Sequence, residues 1–165
     1  MSQDNAKLEV SEVIGLINVT QNGPTQVAGL LNELDRAGRD ELIAQLEARY
    51  PELAEAIRDA LFTFEDFIYI DDRGLQKMLR NIDHRTLAKV LKNTSEAVKK
   101  KILSNLSKRA GTTVLEELNL LGPIRLSEVK EMQKDMARNA RKLNEEGQLT
   151  IVRPDDPDPL ISPYR

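Results

Sequence analysis

Leu61-Phe62-Thr63-Phe64-Glu65-Asp66 opens, and Gly122-Pro123-Ile124-Arg125 closes, the stretch on which the reading of this chain's fold turns. Phe62, Phe64 and Phe67 are all the phenylalanines of the 165-residue sequence, and Tyr69 stands close by. In a chain only 4% aromatic, such a cluster marks a junction. It is either a plug where two helical layers meet or a hinge whose ring packing sets the angle between two subdomains. Beyond it the apolar residues recur at helical spacing. A first helix runs from about Asp72 to Ile82, with Leu75, Met78, Leu79 and Ile82 inside. Asp83, Ser95 and Ser107 stand where N-caps belong, ahead of Leu87-Val90-Leu91, Val98-Ile102-Leu106 and Ala110-Val114-Leu115-Leu118 in turn. Gly122-Pro123 stops the last of these. Ser127 starts a long helix through Val129, Met132, Met136, Ala140 and Leu143 that ends at Gly147, and Leu149 to Val152 reads as a short extended segment.

Upstream of the junction, Val10, Val13, Ile14 and Ile17 form one stripe. Val27, Leu30, Leu31 and Leu34 form another after Gly23-Pro24, where proline suits a first helical turn. Leu42, Ile43 and Leu46 follow Asp40, read as an N-cap. Tyr50-Pro51 breaks that helix and begins the next, with Leu53, Ala54, Ile57 and Leu61 inward. Four short helices in the order stripe, polar turn, stripe suit a small stack of the armadillo sort. No segment alternates as a strand does, so the class is all-α. The expected organisation is an N-terminal helix or extension over 1–17, an armadillo-like right-handed stack over 18–60 and a Phe-rich hinge over 61–70. A compact six-helix-type subdomain follows over 71–152. The tail over 153–165, with four prolines and three aspartates, lacks the apolar content to form a core.

Composition narrows the function. Hydrophobic residues make up 40% and charged residues 31%, without cysteine or tryptophan. No apolar run is long enough to span a bilayer, and Met1-Ser2-Gln3-Asp4-Asn5 has no secretory character. The net charge of −3 conceals −6 over residues 1–60, +3 over 61–122 and zero over 123–165. The basic excess is small and is broken by Asp71, Asp72, Glu116 and Glu117, which repel phosphates, so nucleic acid is not expected. The one histidine, His84, sits at a helix start with no second histidine or cysteine to complete a zinc site. There is no P-loop. Asp71-Asp72 are adjacent and share no helical face, so they read as a cap rather than a catalytic pair. No nucleophile and base can be assembled, and the chain reads as a non-enzyme without metal, cofactor or small-molecule substrate.

One helix face is left to account for. Arg109 and Glu116 are two turns apart and Thr113 lies between them, with Glu117 beside; Ala110, Val114, Leu118 and Leu121 point the other way. A basic start and an acidic end oppose the helix dipole, which weakens an exposed helix by a few tenths of a kcal/mol per placement. Mixed charges on an exposed helix are ordinarily just solvated surface. Read against known families, however, Val90-Leu91-Lys92-Asn93-Thr94, Asn105-Leu106-Ser107-Lys108-Arg109-Ala110, Glu116-Glu117 and Gly122-Pro123-Ile124-Arg125 fall without a gap on the pattern of FliG-type C-terminal domains. Leu61-Phe62-Thr63-Phe64 resembles that family's Met-Phe-x-Phe hinge, with leucine for methionine. Gly23 to Ala28 and Pro51 to Arg58 resemble its C-terminal armadillo subdomain, and the likeness extends over roughly residues 18–152.

The resemblance implies a torque-receiving rotor part of the bacterial flagellar motor. It implies that Lys92, Arg109, Glu116, Glu117 and Arg125 meet the cytoplasmic loop of a MotA-type stator, with Leu61, Phe62, Thr63 and Phe64 as hinge. It implies a place in the cytoplasm, peripheral to the inner membrane at the basal body. FliM or neighbouring FliG-like subunits are the partners expected at the armadillo-like face. Two departures stand out: Gly74 replaces the family's usual serine and is expected to loosen its helix, and Asn93-Thr94 replace Gly-Ala. The family's FliF-anchoring and FliM-binding domains have no counterpart in this sequence, as expected of a fragment or of a stand-alone homologue. Two other readings stay open: a helical adaptor for a non-flagellar ion-driven motor or secretion machine, or a truncated paralogue that pairs with full-length FliG.

Overall fold

Pro24, in the first turn of α1 (Gly23–Leu31), has its φ preset for a helix and no N–H to leave unpaired there. The structure, a computed structural model, describes residues 23–34 and 36–153. The stripe from Val10 to Ile17, the extension over 1–17 and the tail beyond Arg153 lie outside these residues. The chain divides into two compact units, with the boundary after Phe62. All named elements are helical, as expected of an all-α chain.

In the first unit, α2 (Arg36–Arg49) and α1 both pack on α3 (Pro51–Leu61). Val27, Leu31, Leu42, Ile43, Leu46, Ala54 and Ile57 form its core. Arg58 reaches Glu47 at 2.7 Å and ties α3 to α2 from the surface. Its hydrogen bond and its charge hold the Glu47 carboxyl below the usual range. Asp40 does not cap a helix: α2 starts at Arg36 and Asp40 lies inside it. Arg36-Ala37-Gly38-Arg39 holds no proline, and one glycine weakens a helix by only about 1 kcal/mol. The break falls earlier, in the turn after Leu31, where Arg39 donates to the Asn32 side chain at 3.3 Å.

The second unit opens with a 3₁₀ segment, Phe64–Tyr69, entered through a Thr63 amide that donates to the Asp66 carboxylate at 2.9 Å. Phe64 and Phe67 are buried, with ring centroids 4.8 Å apart and planes tilted by 50°. Then come α4 (Asp72–Leu79), α5 (His84–Leu91), α6 (Glu96–Ser104), α7 (Lys108–Leu120) and α8 (Leu126–Glu145). The 3₁₀ segment packs on α6 and α8, and α5 packs on α7 and α8. α4 is shorter than the sequence suggests; its last expected turn, through Ile82, is a pair of reverse-turn hydrogen bonds. α8 starts at Leu126, one residue ahead of the expected Ser127, with Arg125 in the N-cap position.

The two ends of the second unit are joined. Ile70 and Ile151 form an isolated antiparallel bridge, and the Asp71 amide donates to the Thr150 carbonyl at 2.9 Å. Asp71 uses both carboxylate oxygens: Oδ2 caps α4 through the Gly74 amide at 2.9 Å, and Oδ1 accepts from the Thr150 amide at 2.7 Å. Gly74 is buried at this crossing. A Cβ there would overlap the Leu149 Cβ and stand 2.8 Å from the Leu149 Cα. The expectation that Gly74 loosens its helix is therefore corrected: the missing side chain lets two backbones meet.

Candidate functional site

Lys92 is the C-cap residue of α5 and is exposed. Two residues distant in sequence hold the turn that carries it. Gln133 of α8 donates from one side-chain amide to the carbonyls of Val90 and Asn93, at 2.9 and 2.8 Å. Glu65 of the 3₁₀ segment accepts from the Thr94 hydroxyl at 2.8 Å and the Ser95 amide at 3.1 Å, adding to the Ser95 cap of α6. Partial burial pushes the Glu65 carboxyl up, but the hydrogen bonds from Ser95 and Thr94 outweigh it and leave it below the usual value. Lys89 meets Glu128 at 3.6 Å and ties α5 to α8 beside the same turn.

Arg109, Glu116 and Glu117 all stand on α7. Its N-cap Ser107 accepts from the Ala110 amide at 3.1 Å. Val114 is buried, and Ala110, Leu118 and Leu121 are half-buried, so the helix presents one narrow face to its own unit. Arg109 and Glu116 are exposed on the other, and Glu117 is half-buried at the edge. Thr113 between them bonds back to the Arg109 carbonyl at 3.0 Å, so its hydroxyl is engaged within the helix. Leu115, read as an inward residue, is 41% exposed; it sits about 100° around the helix from Val114. Leu120 is 81% exposed. It lies three turns on from Arg109 and so continues the stripe of Arg109 and Glu116. Sequence reasoning passed over it, although two leucines in a row, Leu120 and Leu121, cannot both face inward.

After Leu120 the chain leaves the helix through an extended Leu121 and reaches Arg125, whose backbone conformation is extended and whose side chain makes no cap. Arg125 thus sits at the positive end of α8 as Arg109 sits at the positive end of α7. α7 has no acid in its first turn and no base in its last, whereas α8 has Glu128 in its first turn and Lys142 in its last. Both placements work against the dipole, by about 0.3–1 kcal/mol each when exposed.

The charges of the second unit fall into two groups. One group is engaged with neighbours. Asp72 accepts from Lys101 at 2.8 Å and Asn105 at 3.1 Å, and these bonds hold its carboxyl low. Asp83 caps α5 through the Thr86 amide and hydroxyl, with the same effect. The other group is larger: it holds exposed charges such as Arg80, Lys100, Lys108 and Lys130 as well as the five singled out by the sequence, Lys92, Arg109, Glu116, Glu117 and Arg125. None of these five side chains makes an ion pair or hydrogen bond to another described residue. They occupy the C-cap of α5, the length of α7 and the N-cap of α8.

The junction residues are also placed. Leu61 ends α3 half-buried, Phe62 is its buried C-cap, Thr63 is exposed and Phe64 is buried in the 3₁₀ segment. Phe62 (φ −133°, ψ 112°) and Thr63 (φ −113°, ψ 173°) are extended, the two non-helical residues between α3 and the 3₁₀ segment. Among the described residues no group of His, Asp or Glu could hold a metal ion, and no helix is long and apolar enough to cross a membrane. His84 is exposed at the first position of α5.

Comparison with known proteins gives this arrangement a family. The chain is 40% identical over 139 residues to the flagellar motor switch protein FliG of Borreliella burgdorferi, covering 84% of this chain and 40% of that protein. It is 37% identical over 149 residues to the protein of the same name from Thermotoga maritima, covering 90% and 44%. The chain thus spans about two fifths of the length of these curated relatives. Among solved structures, full-length FliG from Aquifex aeolicus superposes with a TM-score of 0.69 at 35% identity, over 84% of this chain and 44% of that one. A FliG structure from H. pylori covering its residues 116–343 gives 0.60 at 29%, over 76% and 55%. Residues 44–151 match the family described as the FliG C-terminal domain, and the chain belongs to that family.

Proposed function

We propose that this chain is the torque-receiving part of a flagellar rotor and that its ridge of five charges meets the cytoplasmic loop of a MotA-type stator. The observation that carries the reading is the placement of five charges. Lys92, Arg109, Glu116, Glu117 and Arg125 stand at the end of α5, along α7 and at the start of α8 with no ion pair to another described residue, in a chain whose relatives are named flagellar motor switch proteins. Two of these charges stand where they weaken their own helices, which a surface shaped by stability alone would avoid.

The mechanism follows from magnitude. An exposed ion pair contributes about 0–1 kcal/mol. Five such contacts steer and register a partner without holding it, which suits a contact remade at every step. The steering fades as salt rises, because the Debye length is about 8 Å at physiological ionic strength. Gln133 and Glu65 fix the Lys92 turn, so force applied there passes into α8 and the 3₁₀ segment rather than into a loose loop. We take Leu61, Phe62, Thr63 and Phe64 as the hinge between the two units. The first unit serves as an armadillo-like docking piece for FliM or for neighbouring subunits. No catalysis and no cofactor enter this function, and its place is the cytoplasmic face of the basal body.

The test is charge reversal at Arg109 and Glu116 in the rotor protein, with fold checked by circular dichroism. Loss of stator-dependent rotation in each single reversal, with partial recovery when the matching stator charge is reversed, supports the reading. Unchanged rotation and unchanged stator binding overturn it.

A further inference from the structure

Beside the basic end of the ridge, the second unit has an open cleft of about 530 Å³ lined from α4, α5 and the turn into α7. Leu79 is buried at its floor, with Ile82 and Leu106 half-buried there. Arg80 and His84 stand on its rim. Arg80 is exposed at the C-cap of α4, and neither its guanidinium nor the His84 ring bonds to another described residue. No aspartate or glutamate lines the cleft. Two carboxylates next to its lining residues are committed elsewhere: Asp83, which precedes His84, to the Thr86 amide and hydroxyl, and Asp72 to Lys101 and Asn105. Of the cleft's two side-chain amides, Asn105 at the C-cap of α6 is committed to Asp72 and the Lys101 carbonyl through its nitrogen, and its oxygen accepts from the other, Gln76.

We propose that this cleft seats a segment of a partner protein in which a carboxylate stands next to a branched apolar side chain. A planar guanidinium matches a carboxylate with two parallel donors, and the imidazole adds a third. The floor decides between a peptide and a free anion. An exposed Arg–carboxylate pair alone changes affinity by at most about fivefold, and a small anion leaves the half-buried Ile82 and Leu106 uncovered. A leucine or isoleucine beside the acid covers them, in the manner of an apolar pocket with a few convergent polar groups. The site uses none of the five ridge charges and stands independently of the stator reading.

The probe is a capped octapeptide with a central Glu-Leu-Leu-Glu, compared with its Gln-Leu-Leu-Gln and Glu-Ser-Ser-Glu counterparts, titrated into the full chain labelled with nitrogen-15. The expected result is amide shifts centred on Arg80, Ile82, His84 and Leu106. The first peptide should bind about fivefold tighter than either counterpart, the most that an exposed charge pair contributes. Arg80→Gln should reduce the first peptide to the level of the second, while Arg109→Glu leaves it unchanged. Both substituted side chains are exposed, and circular dichroism checks the fold of each variant. Equal binding of the three peptides overturns the proposal, as does the absence of shifts at those amides. Binding that survives Arg80→Gln but is lost in Arg109→Glu places the peptide on the ridge, and overturns the proposal while leaving the ridge reading intact.

Discussion

The side-chain amide of Gln133 lies 2.8 Å from the main-chain carbonyl of Asn93, and the same nitrogen lies 2.9 Å from that of Val90. One residue of α8 therefore closes the end of α5 and fixes the turn on which Lys92 stands. Such carbonyls at a helix end have no partner within the helix. Gln133→Ala should lower stability by about 1–3 kcal/mol, the range for stranding partly buried acceptors. It should also speed hydrogen exchange at the amides of Lys92 to Ser95 more than elsewhere in the unit. Urea unfolding and exchange by mass spectrometry measure both. A stability loss spread evenly over all helices would show that Gln133 acts on the core rather than on the turn.

Gly74→Ala sets two effects against each other. Alanine in place of glycine favours a helix by about 1 kcal/mol. The added methyl meets the Leu149 side chain and backbone, and overpacking of this kind destabilises by about 1–3 kcal/mol. The steric effect should win, because the obstacle includes a Cα atom that the Asp71–Thr150 bonds hold in place. A lowered thermal midpoint is expected; a raised one would show that the crossing yields freely.

Arg109→Glu should separate stability from function. It replaces a base in the first turn of α7 with an acid, which favours the helix dipole by about 0.3–1 kcal/mol, and it breaks no bond with a described residue. The variant should be slightly more stable and bind the stator loop less well. Calorimetry and loop binding on the same sample give the two readings. A destabilised Arg109→Glu would show that this side chain supports the fold.

Acid should loosen the links between helices before the core. Glu65, Asp72 and Asp83 all have carboxyls below their ordinary values of 4.5, 3.8 and 3.8. A depressed folded-state value means that the stabilisation is present above the ordinary value and is lost as pH falls through the depressed one. Stability from these contacts should thus be constant from neutral pH down to about 4.5 and decline below it. Glu65→Gln should reduce the slope of the urea midpoint against pH below that point. An unchanged slope would assign the acid response to other carboxylates.

Local chemistry made much of this fold legible before the structure. Asp71, Asp83, Ser95 and Ser107 are caps because each is a short polar residue just ahead of an apolar stripe, and each accepts from an amide three residues on. Asp40 looks the same in sequence and is not a cap, since nothing in Arg36 to Arg39 stops a helix from starting earlier. Leu115 looked inward because one helical stripe has room for neighbours on either side; burial chose Val114. Gln133 and Glu65 could not be read at all, because their partners lie 29 or more residues away and no local pattern links them. The exposure of Arg109 and Glu116 follows from helical angle alone, whereas a role for them came only through family resemblance.

The close passage of Gly74 against Leu149 bears on how this unit can be moved between proteins. The five charges invite transplantation of α7 by itself, but the first turn of α4 and the residues around Leu149 clasp each other at the far ends of the chain segment. A module that keeps this clasp therefore has to hold both the first turn of α4 and the residues around Leu149. A cargo fused after Val152 leaves the clasp closed, and a graft cut anywhere before Leu149 carries the ridge without the fastening that keeps its helices in register.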